Sequence, residues 1–139
     1  MSARSRSRTR GQRSKLSRVW LVHTTSKRVR AKTDAGFRLV FERPDGSKVT
    51  KKANIKGTNE REYGTTDSYE FKLDKDDVYE DAAVYLEMNL RVSSKNAWLP
   101  TRIFVIGQRS SDSKCILLAA YPDWNEWFSR DKTWSHKLA

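Results

Sequence analysis

The chain has little of what most enzymes and secreted scaffolds are built from. It holds one cysteine, Cys115, which excludes an intrachain disulfide framework and fits a reducing compartment. Its two histidines, His23 and His136, stand far apart. There is no Gly-rich phosphate loop, no zinc-ligand spacing and no Gly-x-Ser-x-Gly elbow. No apolar run approaches the roughly 20 residues that span a bilayer. Val19-Trp20-Leu21-Val22 falls far short of the roughly 7–15 apolar residues of a secretion signal. A cytoplasmic location is therefore expected, and an organellar transit peptide is the alternative for the Arg- and Ser-rich start.

Acidic residues are missing from the first eighteen positions. Arg4, Arg6, Arg8, Arg10, Arg13, Lys15 and Arg18 precede Val19 with no carboxylate among them. Taking those seven from the 28 Lys and Arg leaves 21 bases against 17 acids, so most of the net charge of +11 belongs to this segment. Beyond Ala3 its one apolar side chain from Ser2 onward is Leu16, too little to offset chain entropy. Residues 1–18 are expected to form a disordered arm. Its cations suit polyanions through phosphate contacts and counterion release. Without an aromatic residue it would bind RNA blind to sequence, and it would also be drawn to anionic lipid. A packaging or address tag and a merely solubilising tail are the competing readings.

What is present is alternation. Val84, Leu86, Met88, Leu90 and Val92 interleave with Tyr85, Glu87, Asn89 and Arg91. Successive strand residues face opposite sides, so this pattern predicts a half-buried, central antiparallel strand. Val19–Thr25, the Phe37/Leu39/Phe41 run and the Tyr69/Phe71/Leu73 run read as partners. Pro44-Asp45-Gly46 predicts the turn of a hairpin whose second half is Ser47–Ile55. Ile103–Ile106 reads as buried on both faces, Gly107–Ser113 as a connection, and Lys114–Ala120 as a strand. These elements predict an all-β fold, an antiparallel β-sandwich of about eight strands over residues 19–128 with a tail at 129–139, and the Trp-dense stretch Tyr121–Ala139 holds one helical turn or covers a sheet edge.

Four stretches, in this order, resemble the PLAT (lipoxygenase-homology) domain family. They are Thr33-Asp34-Ala35-Gly36-Phe37, Gly64-Thr65-Thr66-Asp67-Ser68-Tyr69, Trp98-Leu99-Pro100-Thr101-Arg102-Ile103, and Tyr121-Pro122-Asp123-Trp124 with Trp127-Phe128. The chain departs from the family at Lys32, where glycine is common, and at Pro100, which removes a ladder donor and predicts an edge or bulge. The resemblance implies an eight-stranded sandwich that is non-catalytic, engages membranes or protein partners, and in some members binds calcium. It implies Asp34, Gly64 and Asp67 as the calcium-ligand set, since hard cations take several oxygens. The competing reading has Asp34 and Asp67 capping turns, which the nearby cations Lys32 and Arg61 favour.

Cys115 opens an apolar strand and reads as a buried core thiol rather than a nucleophile. No enzyme is expected. Trp98 and Trp124 read as packing groups. Trp127 and Trp134, flanked by polar residues, read as contacts to a membrane or partner. A binding module with a polyanion-attaching arm is the leading reading. The alternative is a nucleic-acid-binding or coat-type sandwich whose arm neutralises RNA.

Overall fold

Val84, Leu86 and Met88 are buried while Ala83, Tyr85 and Glu87 between them are half-buried, as the alternation demands. They form one strand of a computed structural model that describes residues 14–33, 35–53, 60–89, 97–129 and 133–139. Its strands are β1 (Leu16–Thr25), β2 (Phe37–Glu42), β3 (Lys48–Lys52), β4 (Thr66–Lys72), β5 (Ala83–Met88), β6 (Pro100–Arg109), β7 (Cys115–Tyr121) and β8 (Ser135–Lys137). Leu90 and Val92 lie outside the described residues.

Two four-stranded antiparallel sheets, ordered β4-β1-β6-β7 and β3-β2-β5-β8, stack face to face. Inward residues of both sheets share one core, including Leu21, Leu39, Phe41, Leu86, Ile103 and Val105. The all-β sandwich is thus present, with no helix among the described residues, and none there is long and apolar enough to cross a membrane. Arg43–Ser47 closes the β2–β3 hairpin. Arg43 N donates to Ser47 O at 2.8 Å, Asp45 Oδ1 accepts from Ser47 N at 2.9 Å, and Gly46 takes φ +89°. Two hydrogen bonds from Ser47 hold the Asp45 carboxyl below its ordinary pKa.

Several boundaries differ from expectation. β1 begins at Leu16, not Val19, because Leu16 is wholly buried and its amide donates to Val78 O at 2.8 Å. Lys15 bridges to Tyr79, so residues 15–18 belong to the body rather than to an arm. In the tail, β8 pairs with the otherwise open edge of β5, which is the edge-covering form expected of this stretch rather than a helical turn. β6 runs through Gly107 to Arg109, where a loop was expected. A Cβ at Gly107 would stand 3.1 Å from both Leu118 Cδ1 and Leu16 Cδ2, so close packing rather than a turn requires the glycine.

Ile103 and Val105 are buried but Phe104 and Ile106 only half-buried, because the outer face of a two-layer sandwich stays open. Pro100 opens β6 beside a register shift at Thr24/Thr25, the bulge its missing donor demands, although β6 itself is an interior strand. Cys115 is exposed, contrary to the core reading, because it faces outward at the start of an edge strand.

The registers fix two poles. β1 ends where β4 and β6 begin, and β5 ends where β2 and β8 begin. The described residues of the connections after β1, β3, β5 and β7 (26–33 with 35–36, 53 with 60–65, 89 with 97–99, and 122–129 with 133–134) therefore gather at one end, the loop end. The β2–β3, β4–β5 and β6–β7 turns gather at the other.

Candidate functional site at the loop end

The loop end is tied together by main-chain hydrogen bonds. Ser26 N donates to Leu99 O and Leu99 N to Ala31 O, each at 3.0 Å, while Thr33 N donates to Arg61 O at 3.3 Å. Thr25 N donates to Thr65 O at 2.9 Å and Gly64 N to Thr25 O at 3.0 Å. Gly64 has φ +70°, and a Cβ there would lie 3.0 Å from Lys27 Cε. Gly64→Ala is expected to cost about 1–2 kcal/mol through the left-handed backbone, since the Lys27 chain can move aside. A urea denaturation midpoint that does not move would refute this.

Beneath these loops lies a buried polar cluster. Arg61 is 2% exposed and takes φ +58°, a conformation few non-glycine residues adopt. Its Nη1 donates to Ala53 O at 3.1 Å and to Tyr69 Oη at 2.9 Å, and Nη2 lies 3.5 Å from Glu60 Oε2. The guanidinium carbon sits 5.2 Å from the Phe37 ring centre. These partners offset the cost of burying a charge. Burial, against the favourable field of Arg61, raises the Tyr69 hydroxyl far above its ordinary pKa.

His23, 1% exposed, faces inward from β1 between Tyr69 and Trp98, its ring 4.7 Å from that of Trp98. Among the described residues neither ring nitrogen has a hydrogen-bond partner. Burial and then Arg61 lower its pKa from 6.5 to about 3. The Asp67 carboxylate 3.9 Å from Nδ1 is therefore not an ion-pair partner near neutrality, because the imidazole is uncharged.

The outer surface of this end is basic. Lys27, Arg28, Arg30 and Lys32 are exposed, and Val29 between them is 79% exposed. Arg30 also has a left-handed φ of 68°, and its amide donates to Tyr63 Oη at 3.0 Å. Tyr63 is 43% exposed with Lys32 Nζ 5.4 Å from its ring centre. Arg28 Cζ lies 6.0 Å from the Trp127 ring centre. A cationic tip with an apolar point and an aromatic rim suits a surface of phosphates over hydrocarbon.

The residues singled out in the sequence fall unevenly on this frame. Trp127 joins the tip, half-buried. Trp134 packs against the core and its carbonyl accepts from Met88 N at 2.6 Å. Trp98 and Trp124 are buried, as read. Arg4, Arg6, Arg8, Arg10 and Arg13 lie outside the described residues. Lys15 and Arg18 sit toward the far pole, where Arg18 Nη1 pairs with Glu70 Oε2 at 3.0 Å. Cys115 also begins its strand near that pole, opposite Gln108, whereas His23 pairs with Ile103 and His136 with Leu86; the fold does not assemble a Cys–His pair. Arg61 and Lys27–Lys32 were not singled out as a site.

Of the implied calcium ligands, Asp34 lies outside the described residues. Asp67 Oδ2 accepts from Arg61 N at 2.9 Å, which is the capping role. Gly64 is covered by the Lys27 side chain. Glu60 and Glu62 each face a cation, Arg61 and Lys32, at 3.5 Å. Among the described residues no three His, Cys, Asp or Glu side chains stand together to hold a metal. The described donors do not fit calcium.

No protein-family model matches the chain, and no curated protein matches it. Solved structures do. The alpha toxin of Clostridium absonum aligns with a TM-score of 0.73 at 19% identity, over 94% of this chain and 33% of that one. A Clostridium perfringens alpha-toxin from an avian strain aligns with a TM-score of 0.72 at 19% identity, over 90% of this chain and 32% of that one. Coral 8R-lipoxygenase, described as undergoing calcium activation via a C2-like domain, aligns with a TM-score of 0.60 at 18% identity, over 87% of this chain and 16% of that one. The chain thus spans a third or less of the length of these proteins. These alignments support a PLAT/C2-like β-sandwich fold for this chain.

Proposed function

We propose that this chain is a non-catalytic binding module that docks its loop end on an anionic membrane surface. The observation that carries the reading is the exposed Lys27-Arg28-Val29-Arg30 tip, rimmed by Tyr63 and Trp127. Each cation held near an anionic bilayer contributes about 1 kcal/mol, and an exposed valine between cations can enter the headgroup layer. The C2-like fold shared with an alpha toxin and a lipoxygenase supports a module of this kind without naming its lipid. The Arg-rich leading segment (Arg4 to Arg13, with Lys15 and Arg18) is proposed as a second, sequence-blind attachment to polyanions. No feature of the described residues favours the RNA-coating alternative.

The test is co-sedimentation with phosphatidylserine-containing vesicles. Arg28→Ala with Arg30→Ala is expected to weaken binding roughly 30-fold, the equivalent of about 2 kcal/mol. Binding should also fall as salt rises. Equal binding by wild type and double variant at low salt would remove the loop end from the interface.

A further inference from the structure

We infer that Arg61 is a built-in cation that does at this loop end what a bound divalent ion would do, so that the module docks without calcium. A divalent ion between loops ties separate segments through shared oxygens. Arg61 already makes those ties. Its guanidinium bonds Ala53 O just after β3, in one sheet, and Tyr69 Oη on β4, in the other, at 3.1 and 2.9 Å. It also lies over Phe37, the first residue of β2. Its carbonyl accepts from Thr33 N in the β1–β2 connection, and its amide donates to Asp67 Oδ2. One residue thereby links both sheets and two of the connections at this end.

The same contacts work against an added metal. The Arg61 guanidinium faces Glu60 and Lys32 faces Glu62, each at 3.5 Å, while Asp67 Oδ2 is occupied by the Arg61 amide, so the carboxylate oxygens a hard cation would need already have donors. A buried guanidinium beside them opposes any further positive charge. The surface charge that a bound ion would lend to an anionic bilayer is supplied by Lys27, Arg28 and Arg30, which are exposed. Regulation by calcium is then absent from the docking step, and the module is constitutively ready. Only the vesicle part of the test rests on the docking reading above.

The full chain is melted in millimolar calcium and in chelator, and co-sedimented with phosphatidylserine vesicles under both conditions. The melting temperature and the bound fraction are each expected to be the same with and without calcium. Arg61→Gln, which keeps much of the length and loses the charge, is expected to lower the melting temperature by several degrees. Arg61→Lys, which keeps the charge and loses the planar fork, should fall less and stay indifferent to calcium. A saturable rise in wild-type melting temperature with calcium, loss of vesicle binding in chelator, or an Arg61→Gln variant as stable as wild type would each overturn the inference. Should vesicles bind under neither condition, the docking reading falls, and the melting comparison still decides the role of Arg61.

Discussion

Trp98→Ala is expected to lower the unfolding free energy by about 3–5 kcal/mol, the range for emptying a fully buried indole site. Trp98 is 0% exposed and stands where the sheets meet the loop end. Its ring lies 4.7 Å from those of His23 and Phe37 and 5.3 Å from that of Phe128. Its Nε1 donates to Thr25 Oγ1 at 2.8 Å, and its backbone exchanges hydrogen bonds with Phe128. Truncation would open a cavity and leave the Thr25 hydroxyl, at 1% residue exposure, without that donor. Trp98→Phe should cost less, because it restores part of the volume but not the hydrogen bond. Urea titration would read both variants as a lower midpoint at unchanged slope. A Trp98→Ala loss below about 1 kcal/mol would show that the loop end and core are held elsewhere.

Acid should destabilise the fold through His23. The unfolded chain takes up a proton on this imidazole near pH 6.5, whereas the folded chain accepts it only near 3. Between those values the unfolded state binds more protons, so stability falls as pH falls; above 6.5 the contribution is complete. At about 1.4 kcal/mol per fully developed pH unit, the loss between pH 7 and 5 comes to about 2 kcal/mol. Arg61 sharpens the effect by opposing a second buried cation, and Asp67 at 3.9 Å does not cancel it. His23→Leu removes the group while keeping an apolar side chain of similar size. The test is the difference between the two proteins, which isolates His23 from the exposed carboxylates. If both lose the same stability from pH 7 to 5, the imidazole is not held neutral in the native state.

Much of the frame was legible because its signals are local. Period-two alternation in β5, the apolar run of β2 and the Pro-Asp-Gly turn each depend on neighbouring residues alone. The inward set of β1 (Val19, Leu21, His23, Thr25) follows the same period, so the burial of His23 was readable, although its pairing with Trp98 was not. β8 could not be read, since Ser-His-Lys has no strand propensity and pairs only because the edge of β5 is open to it. Arg61 was hidden for a similar reason. It sits in a polar, glycine-bearing connection where arginine normally faces water, and its partners Ala53, Tyr69 and Phe37 come from separate elements. The basic tip shows in the sequence only as a local run of Lys27, Arg28, Arg30 and Lys32. What the composition lacked was its apolar point and its aromatic rim, since Tyr63 and Trp127 arrive from other connections.

Both chain directions leave from the pole away from the basic tip. Ser14 meets Glu80 in the β4–β5 turn, and Ala139 meets Val84 at the start of β5. With the tip seated on a bilayer, cargo joined after Ala139 would project toward the aqueous side and leave the seat unobstructed. A fluorescent reporter fused after Ala139 should accordingly preserve vesicle binding.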